Sequence, residues 1–523
     1  MQMEAAAITE SLNGNVVSLQ RTGEYLLSLT GQRVLFVLLF LTTTVEVTAQ
    51  LENSHWFFGD SAGVRFTDTG LLTIDDAQLY SIEGCASISD SLGNLLFYTN
   101  GWRIRNRDGE VMPNGDSIDT WTTLDDLQDL TSITQATTIL PRPDHLGQYY
   151  VFGNRKGSRT FYSLVDMSLD FGKGDVVPGQ RRVIIHEGAG VNEKMAAVRH
   201  GNGRDWWLIR PEYAQWSPPF GIRDSNYYFL RVGPEGIEEI KEQSVGYSDA
   251  WLLRGEIDIS QQGDKIAVVG SRSLEVRELD RCNGVLGARI LVDTEIGSGG
   301  YGVAFSPDGS KVYLSYEGSN GILVQYDLEL VGQPGFSRDT LMEIPGIYEF
   351  GQLQLGPDNL LYIPILKDAP EGSPDTLASY LHAINSPDEP YPLCDFQMWV
   401  QKLSPGINLG GLPNNPNYSL GALEGSPCDT LGGITSVTTN LSWNDLRVYP
   451  NPVDNWMHVQ LPDDGGQMKI ALYDATGRLL LNRDIESYGG VESIDVTNFS
   501  SGVYSVVVMS ENVYSMRGRF VKN

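Results

Sequence analysis

Six stretches between residues 85 and 365 repeat one pattern: an apolar strand, a polar turn built on Gly or Asn, then a second strand rich in aromatic and β-branched residues. They include CASISDSLGNLLFYTN (85–100), EIDISQQGDKIAVVG (256–270) and GVAFSPDGSKVYLSY (302–316), with the others at 136–153, 195–211 and 352–365. The turn residues Gly93, Gly147, Gly203, Gly263, Gly309 and Asn359 recur at intervals of 46–60 residues. Each unit is an antiparallel hairpin plus roughly thirty further residues, enough for a four-stranded sheet. Sheets repeated at such a period protect their edges when they are arranged radially about an axis.

In FSPDGSKVYLSY, Asp308-Gly309 supplies a tight turn, because Gly accepts positive φ without steric cost. This stretch resembles β-propellers whose blades carry an SPDG turn. The expected fold is therefore all-β, with seven blades favoured and six as the alternative: WFFGDSAGVRF (56–66) and SYLHAINS (379–386) would form or complete a seventh. WFFGDSAGVRF, EGCASISDSLGNLLFYTNG and VMPNG, with GLPNNPNYSLG (411–421), also resemble a group of uncharacterised secreted propellers that end in sorting domains. That resemblance spans residues 50–430 and implies an architecture, not an activity.

The N-terminus reads as a targeting segment. Arg33 precedes the apolar run VLFVLLFL (34–41), and Val47-Thr48-Ala49 forms a small-x-small site, so a Sec signal peptide cleaved before Gln50 is expected. Glu4, Glu10 and Glu24 fit a signal n-region poorly, which places the expected translation start nearer residue 29. The Sec translocon and signal peptidase are the implied partners. An apolar run of this length is too short to span a bilayer. Lys and Arg number 37 against 66 Asp and Glu, a net charge of −29 that disfavours nucleic acid and anionic lipid as partners.

After Cys428 the chain becomes small and polar, and 431–443 reads as a linker. From 444 the pattern changes: Pro450 and Pro452 fix φ and cannot donate to a ladder, so they open a strand at a sheet edge. WMHVQL, MKIALYDATGRLLLNRDI with a turn at Thr476-Gly477, SIDVTNFSSGVYSVVVMS and YSMRGRFVKN follow, and predict a small Ig-like β-sandwich over 444–523. The series VYPNP, LYDATGRLL, IDVTNFSSGVYSVVV and the Lys-bearing end closely resembles the C-terminal sorting domain of type IX secretion cargo in Gram-negative bacteria. The resemblance implies that Pro450, Asn451 and Pro452 begin the signal, that Gly477 belongs to it, and that Gly502, Tyr504 and Lys522 form its terminal motif. It also implies an outer-membrane translocon as partner and removal of the tail after export.

Cys85, Cys282, Cys394 and Cys428 contain no CxxC pair. Export permits disulfides, and Cys394–Cys428 is the expected pair, with buried free thiols as the alternative. The six histidines are scattered and no HExxH or EF-hand pattern occurs, so no metal and no cofactor is expected. A structural calcium held by backbone carbonyls would leave no pattern to read. Gly59-Asp60-Ser61-Ala62-Gly63 fits GxSxG but lacks an upstream sheet, and reads as a β-turn. Gly297–Gly302 fits GxGxxG, yet a strand follows it where a dinucleotide site needs a helix.

Residues just before each innermost strand rim the axis of a propeller. These are Glu83, Gln135, Lys194, Arg254 with Glu256, Tyr301 and Gln352. Polar groups of both signs suit a sugar or peptide ligand, against a reading as ordinary loop residues at a solvated mouth. Trp102, Trp206, Trp207 and Trp216 are candidates for stacking on sugars, and one of Trp206 and Trp207 at least is expected in the core. The leading expectation is a cell-surface or extracellular binding module for a glycan or protein. The alternatives are a secreted polysaccharide- or peptide-cleaving enzyme using Glu83 and Glu256, and a structural or adhesion component of the envelope.

Overall fold

All six turn residues that mark the repeat hold a left-handed backbone: φ is 77° at Gly93, 78° at Gly147, 76° at Gly203, 70° at Gly263 and Gly309, and 64° at Asn359. Most side chains resist such a φ, so the repeat is punctuated by glycine and, once, by asparagine. The computed structural model describes residues 51–119, 132–155, 159–187, 193–213, 224–247, 254–270, 272–294, 296, 299–316, 320–346, 348–367, 377–429, 446, 448–461, 466–474, 479–487, 490–510 and 515–522. The expected signal peptide, the linker, Trp216 and Gly477 lie outside them.

Among the described residues the strands between 55 and 402 form seven small antiparallel sheets in chain order. We number them sheet 1 (55–73), sheet 2 (86–106), sheet 3 (137–187), sheet 4 (196–247), sheet 5 (257–293), sheet 6 (300–345) and sheet 7 (348–402). Sheets 4, 5 and 6 are plain four-stranded meanders. In sheet 6 the two inner strands, Gly300–Phe305 and Lys311–Tyr316, are buried at every residue, whereas the outermost, Arg338–Pro345, has no buried residue. Inner strands are thus covered on both faces and rich in Val, Tyr and Phe, as sheets stacked face to face require.

The core is a series of layers between neighbouring sheets. Val198, Trp207 and Phe229 of sheet 4 pack on Ile257 and Val268 of sheet 5, and Val276 of sheet 5 packs with Phe305 and Leu314 of sheet 6. Tyr313 and Leu323 of sheet 6 join Ile363 and Ile365 of sheet 7. Sheet 7 then meets sheet 1 through Tyr362, Leu381, Trp56 and Phe58, with Trp56 and Tyr362 edge to face at 5.6 Å. That last layer returns the series to its start and closes a radial, all-β propeller. Each such large side chain, fully buried, contributes about 1.5–3 kcal/mol.

Two expectations need correction. The disulfide joins Cys282 to Cys428, with Cα atoms 5.5 Å apart, while Cys394 and Cys85 are free and buried. Cys394 sits in the layer between sheets 6 and 7, whereas Cys428 reaches the turn that follows the third strand of sheet 5. The aromatic pair Trp206 and Trp207 is wholly core, both at 0% exposure, with Nε1 donating to Pro141 O (3.2 Å) and Arg281 O (2.9 Å) respectively. Neither is free to stack on a sugar.

The tail forms two further sheets, one from Val448–Tyr449, Trp456–Leu461 and Gly490–Asp495, the other from Gly466–Asp474, Leu479–Ser487, Gly502–Ser510 and Ser515–Lys522. Val459, Ile470, Leu472, Ile494, Val506 and Phe520 meet in one core between them. The first and last segments of the tail pair: Val453 N donates to Val521 O (2.7 Å), and Asn451 Oδ1 accepts from Val521 N (2.8 Å). Tyr504 stacks on Phe520 at 5.3 Å, and Gly502 stands opposite Lys522.

Candidate functional site: a closed polar axis with one open cleft

After sheet 7 the chain turns inward and runs along the axis. Ile407 exchanges backbone hydrogen bonds with Asp60 (2.9 and 3.0 Å), taking a place beside the first sheet. Gly410 O accepts from Gln352 N (2.9 Å), and Leu412 N donates to Gln352 Oε1 (2.6 Å). A Cβ on Gly411 would overlap the carbonyl oxygen of Glu83, so only glycine passes there.

Asn414 is the hub of this segment. Its Nδ2 donates to Met195 O (2.8 Å) and Thr137 O (3.2 Å), its Oδ1 accepts from Gln135 Nε2 (3.3 Å), and its amide donates to Cys85 O (2.8 Å). Asn417 Nδ2 reaches Gln261 O (2.9 Å), Leu423 N reaches Gly201 O (2.8 Å), and Cys428 closes the run on Cys282. GLPNNPNYSLG is therefore an internal axle. Its asparagines bond the inner edges of sheets whose ladders end at the axis.

The residues expected at the rim converge on this axle. Gln135 is buried: its Oε1 accepts from Ile257 N (3.1 Å) and Met195 N (3.3 Å), and its Nε2 also donates to Ile257 O (3.0 Å). Gln352 is buried and donates to Thr134 O. Lys194 is fully buried and donates to Arg254 O; burial lowers its pKa to about 7, opposed by the carboxylates of Glu193 and Glu256. Tyr301 is buried and its carbonyl accepts from Glu256 N (2.8 Å). Arg254 is exposed, and Glu83 is half-buried with its backbone against Gly411.

Glu256 Oε2 accepts from Val303 N and Leu353 N, both at 3.0 Å. Desolvation nevertheless raises its pKa well above the usual carboxylate range. Two residues on, Asp258 Oδ2 accepts from Phe305 N (2.8 Å), and burial pushes its pKa up to about 7. Both carboxyl groups thus bond the inner edge of the neighbouring sheets. In Glu256 both backbone amides bond the one oxygen, Oε2.

One mouth of the axis holds a small, solvent-open cleft of about 40 Å³. Its walls are the inner strand Ile257–Ile259 with Ser260 and Gln261, the segment Leu353–Leu355, Ala196–Val198, Val303, and the axle from Asn414 to Asn417 with Leu420. Gln135 and Glu256 are the two rim residues that line it. Asp258, Gln354, Asn414 and Asn417 were not anticipated. The signal was present: in EIDIS and QLQL polar and apolar residues alternate, and in an innermost strand the polar face looks into the axis.

The two motif matches behave as turns and strands. Gly59-Asp60-Ser61 links strands His55–Phe58 and Ala62–Thr67, and Ser61 Oγ donates to Asp60 Oδ1 (3.0 Å). The GxGxxG stretch runs into strand Gly300–Phe305. Among the described residues no group of three or more His, Cys, Asp or Glu is placed to hold a metal.

Fold and tail together define the class: an all-β propeller protein that ends in an export signal. The model of the secretion system C-terminal sorting domain matches residues 447–523, which marks the chain for type IX secretion to the cell surface or extracellular space. Among solved structures the chain is similar to the β-propeller domain of Cps50 (Swd1) from Myceliophteria thermophila, at 9% identity over 69% of this chain and 90% of that one, with a TM-score of 0.34. It is also similar to the Dos1 propeller (12% identity, 59% and 71% covered, TM-score 0.33) and to a putative 6-phosphogluconolactonase from Bacteroides fragilis (12%, 84% and 98%, TM-score 0.34). No curated protein matches the chain.

Proposed function

We propose that this protein is an exported binding module that holds a glycan or protein ligand at the axis of its propeller. The sorting domain delivers it, after a Sec signal over 29–49 has carried it to the periplasm. The propeller spans 50–430, and the linker at 431–443 separates it from a tail that is removed. The observation that supports binding is the cleft itself: a small, concave, polar site of about 40 Å³ built on rigid inner strands. The commitment of Glu256 to two backbone amides argues against a catalytic carboxylate there.

The test is a broad glycan array probed with the exported protein, read for both retained protein and shortened glycans. Retention on intact glycans supports the module. Shortened products would replace it with the enzyme reading, and silence would direct the search to a protein partner captured from the cell surface.

A further inference from the structure

The cleft sits at the mouth where the first hairpin turn of sheet 5 begins, since Ser260 and Gln261 line it and Asn417 bonds Gln261 O (2.9 Å). Away from that mouth the axis is occupied: Gln352 bonds Gly410 O and Leu412 N there. A ligand therefore approaches from the hairpin-turn face.

The lining contains two carboxyl groups, several carboxamides and a hydroxyl, but no Lys, Arg or His and no aromatic ring. Nothing there neutralises an anion, and a chain of net charge −29 repels one from a distance. Most of the carboxamides are already committed, Asn414 to three partners and Asn417 to Gln261 O and Ser419 N. Two side chains are different. Asp258 is held by Phe305 N (2.8 Å) yet stays partly exposed, and among the described residues Gln354 makes one long side-chain donation, 3.4 Å, to Leu355 O.

We infer that this cleft takes an uncharged, hydroxyl-rich group, the end of a neutral glycan chain, with Asp258 accepting from its hydroxyls and Gln354 both donating and accepting. The inference rests on the binding reading and sharpens it. Carboxylate and carboxamide groups fixed on rigid strands match sugar hydroxyls, which are donors and acceptors at once.

The experiment is titration calorimetry on the full chain with tetrasaccharides of glucose, mannose and xylose, beside galacturonic acid tetramers. The variants are Asp258→Asn, Gln354→Ala and, as a control at an exposed side chain of the short 3₁₀ helix Leu328–Leu330, Glu329→Gln. The expected result is binding of at least one neutral tetramer, weakened tenfold or more by Asp258→Asn and by Gln354→Ala and unchanged by Glu329→Gln. Gln354→Ala removes no buried bond, so it keeps the test alive if Asp258→Asn does not fold. Neutral binding that ignores both variants would overturn the cleft and leave the module standing. Preference for the uronic acid would overturn the ligand class, as would capture of a protein with no sugar bound. Shortened tetramers would overturn the binding reading itself.

Discussion

Asn414 donates its carboxamide to the carbonyl oxygen of Met195 at 2.8 Å, tying the segment that follows the last sheet to the inner end of the fourth. The same side chain serves Thr137 and Gln135, so one residue bonds the third and fourth sheets to the axle. Asn414→Ala takes a donor from the carbonyl oxygens of Met195 and Thr137 and one acceptor from Gln135 Nε2, which keeps Ile257 O. Each orphaned group costs about 1–3 kcal/mol, so a loss of about 2–4 kcal/mol is expected after water repairs part of it. Urea unfolding should show a lower midpoint at unchanged slope. A midpoint equal to wild type would mean that the axle does not hold the propeller.

Gly411 makes the stronger prediction. The atom that a Cβ would meet is the Glu83 backbone carbonyl, which cannot swing away as a side-chain end can. Gly411→Ala should therefore destabilise more than Asn414→Ala, by shifting the axle or sheet 2. Gly421, with open space around its Cβ position, is the control: Gly421→Ala should leave unfolding unchanged. Equal effects at the two glycines would contradict the path traced for this segment.

The disulfide closes a separation of 146 residues. Constraining so long a loop in the unfolded chain contributes about 2–5 kcal/mol. Cys282→Ser should lower stability by that order, and peptide mapping without reductant should recover Cys282 linked to Cys428. Cys85 and Cys394, both buried, should react with alkylating reagent only after unfolding. Recovery of a Cys394-containing disulfide would refute the assignment.

These three features also show what the sequence could convey. The repeat was legible because a left-handed turn admits few residues, so Gly309 or Asn359 announces itself locally. The strand Trp456–Leu461 was legible for a similar reason, being a period-2 pattern bounded by turn residues. The axle was not, since 403–428 forms no strand and gains its partners from sheets hundreds of residues earlier. The disulfide pairing was hidden for the same reason, because proximity of Cys282 and Cys428 exists only once the ring has closed. At the site, the positions before the inner strands suggest a rim, yet only Gln135 and Glu256 of them line the cleft, and side chains along those strands, such as Asp258, supply the rest.

Asp258 also sets a pH dependence. Its pKa is about 7 in the folded chain against 3.8 ordinarily, so between those values the folded state binds a proton that the unfolded state has released. Stability contributed by this group is therefore present at acid pH, falls as pH rises from about 4 to 7, and stays lost above. Asp258→Asn keeps an acceptor for Phe305 N and removes the penalty. It should stabilise the protein above pH 7, by at most about 4 kcal/mol and by less to the extent that the partly exposed carboxyl is hydrated. Near pH 4 it should change little. A stabilised variant with weakened ligand binding would identify a residue kept for function at a cost in stability. A variant destabilised at every pH would instead make Asp258 a purely structural group.

The tail supplies the last prediction. Asn451 accepts from Val521 N at 2.8 Å, so the Pro-Asn-Pro step at the start of the sorting domain is pinned to the strand that ends at Lys522. Beginning and end of the signal form one edge, and a receptor reading that edge would see both together. Asn451→Ala should cost the sandwich about 1 kcal/mol, the net worth of one hydrogen bond, leaving it folded. Deleting 444–523 should strand the propeller in the periplasm, and Asn451→Ala should raise the periplasmic fraction part of the way, measured by cell fractionation and protease access on intact cells. If Asn451→Ala lowers the melting temperature yet reaches the surface in full, the pairing stabilises the tail without being part of what is read.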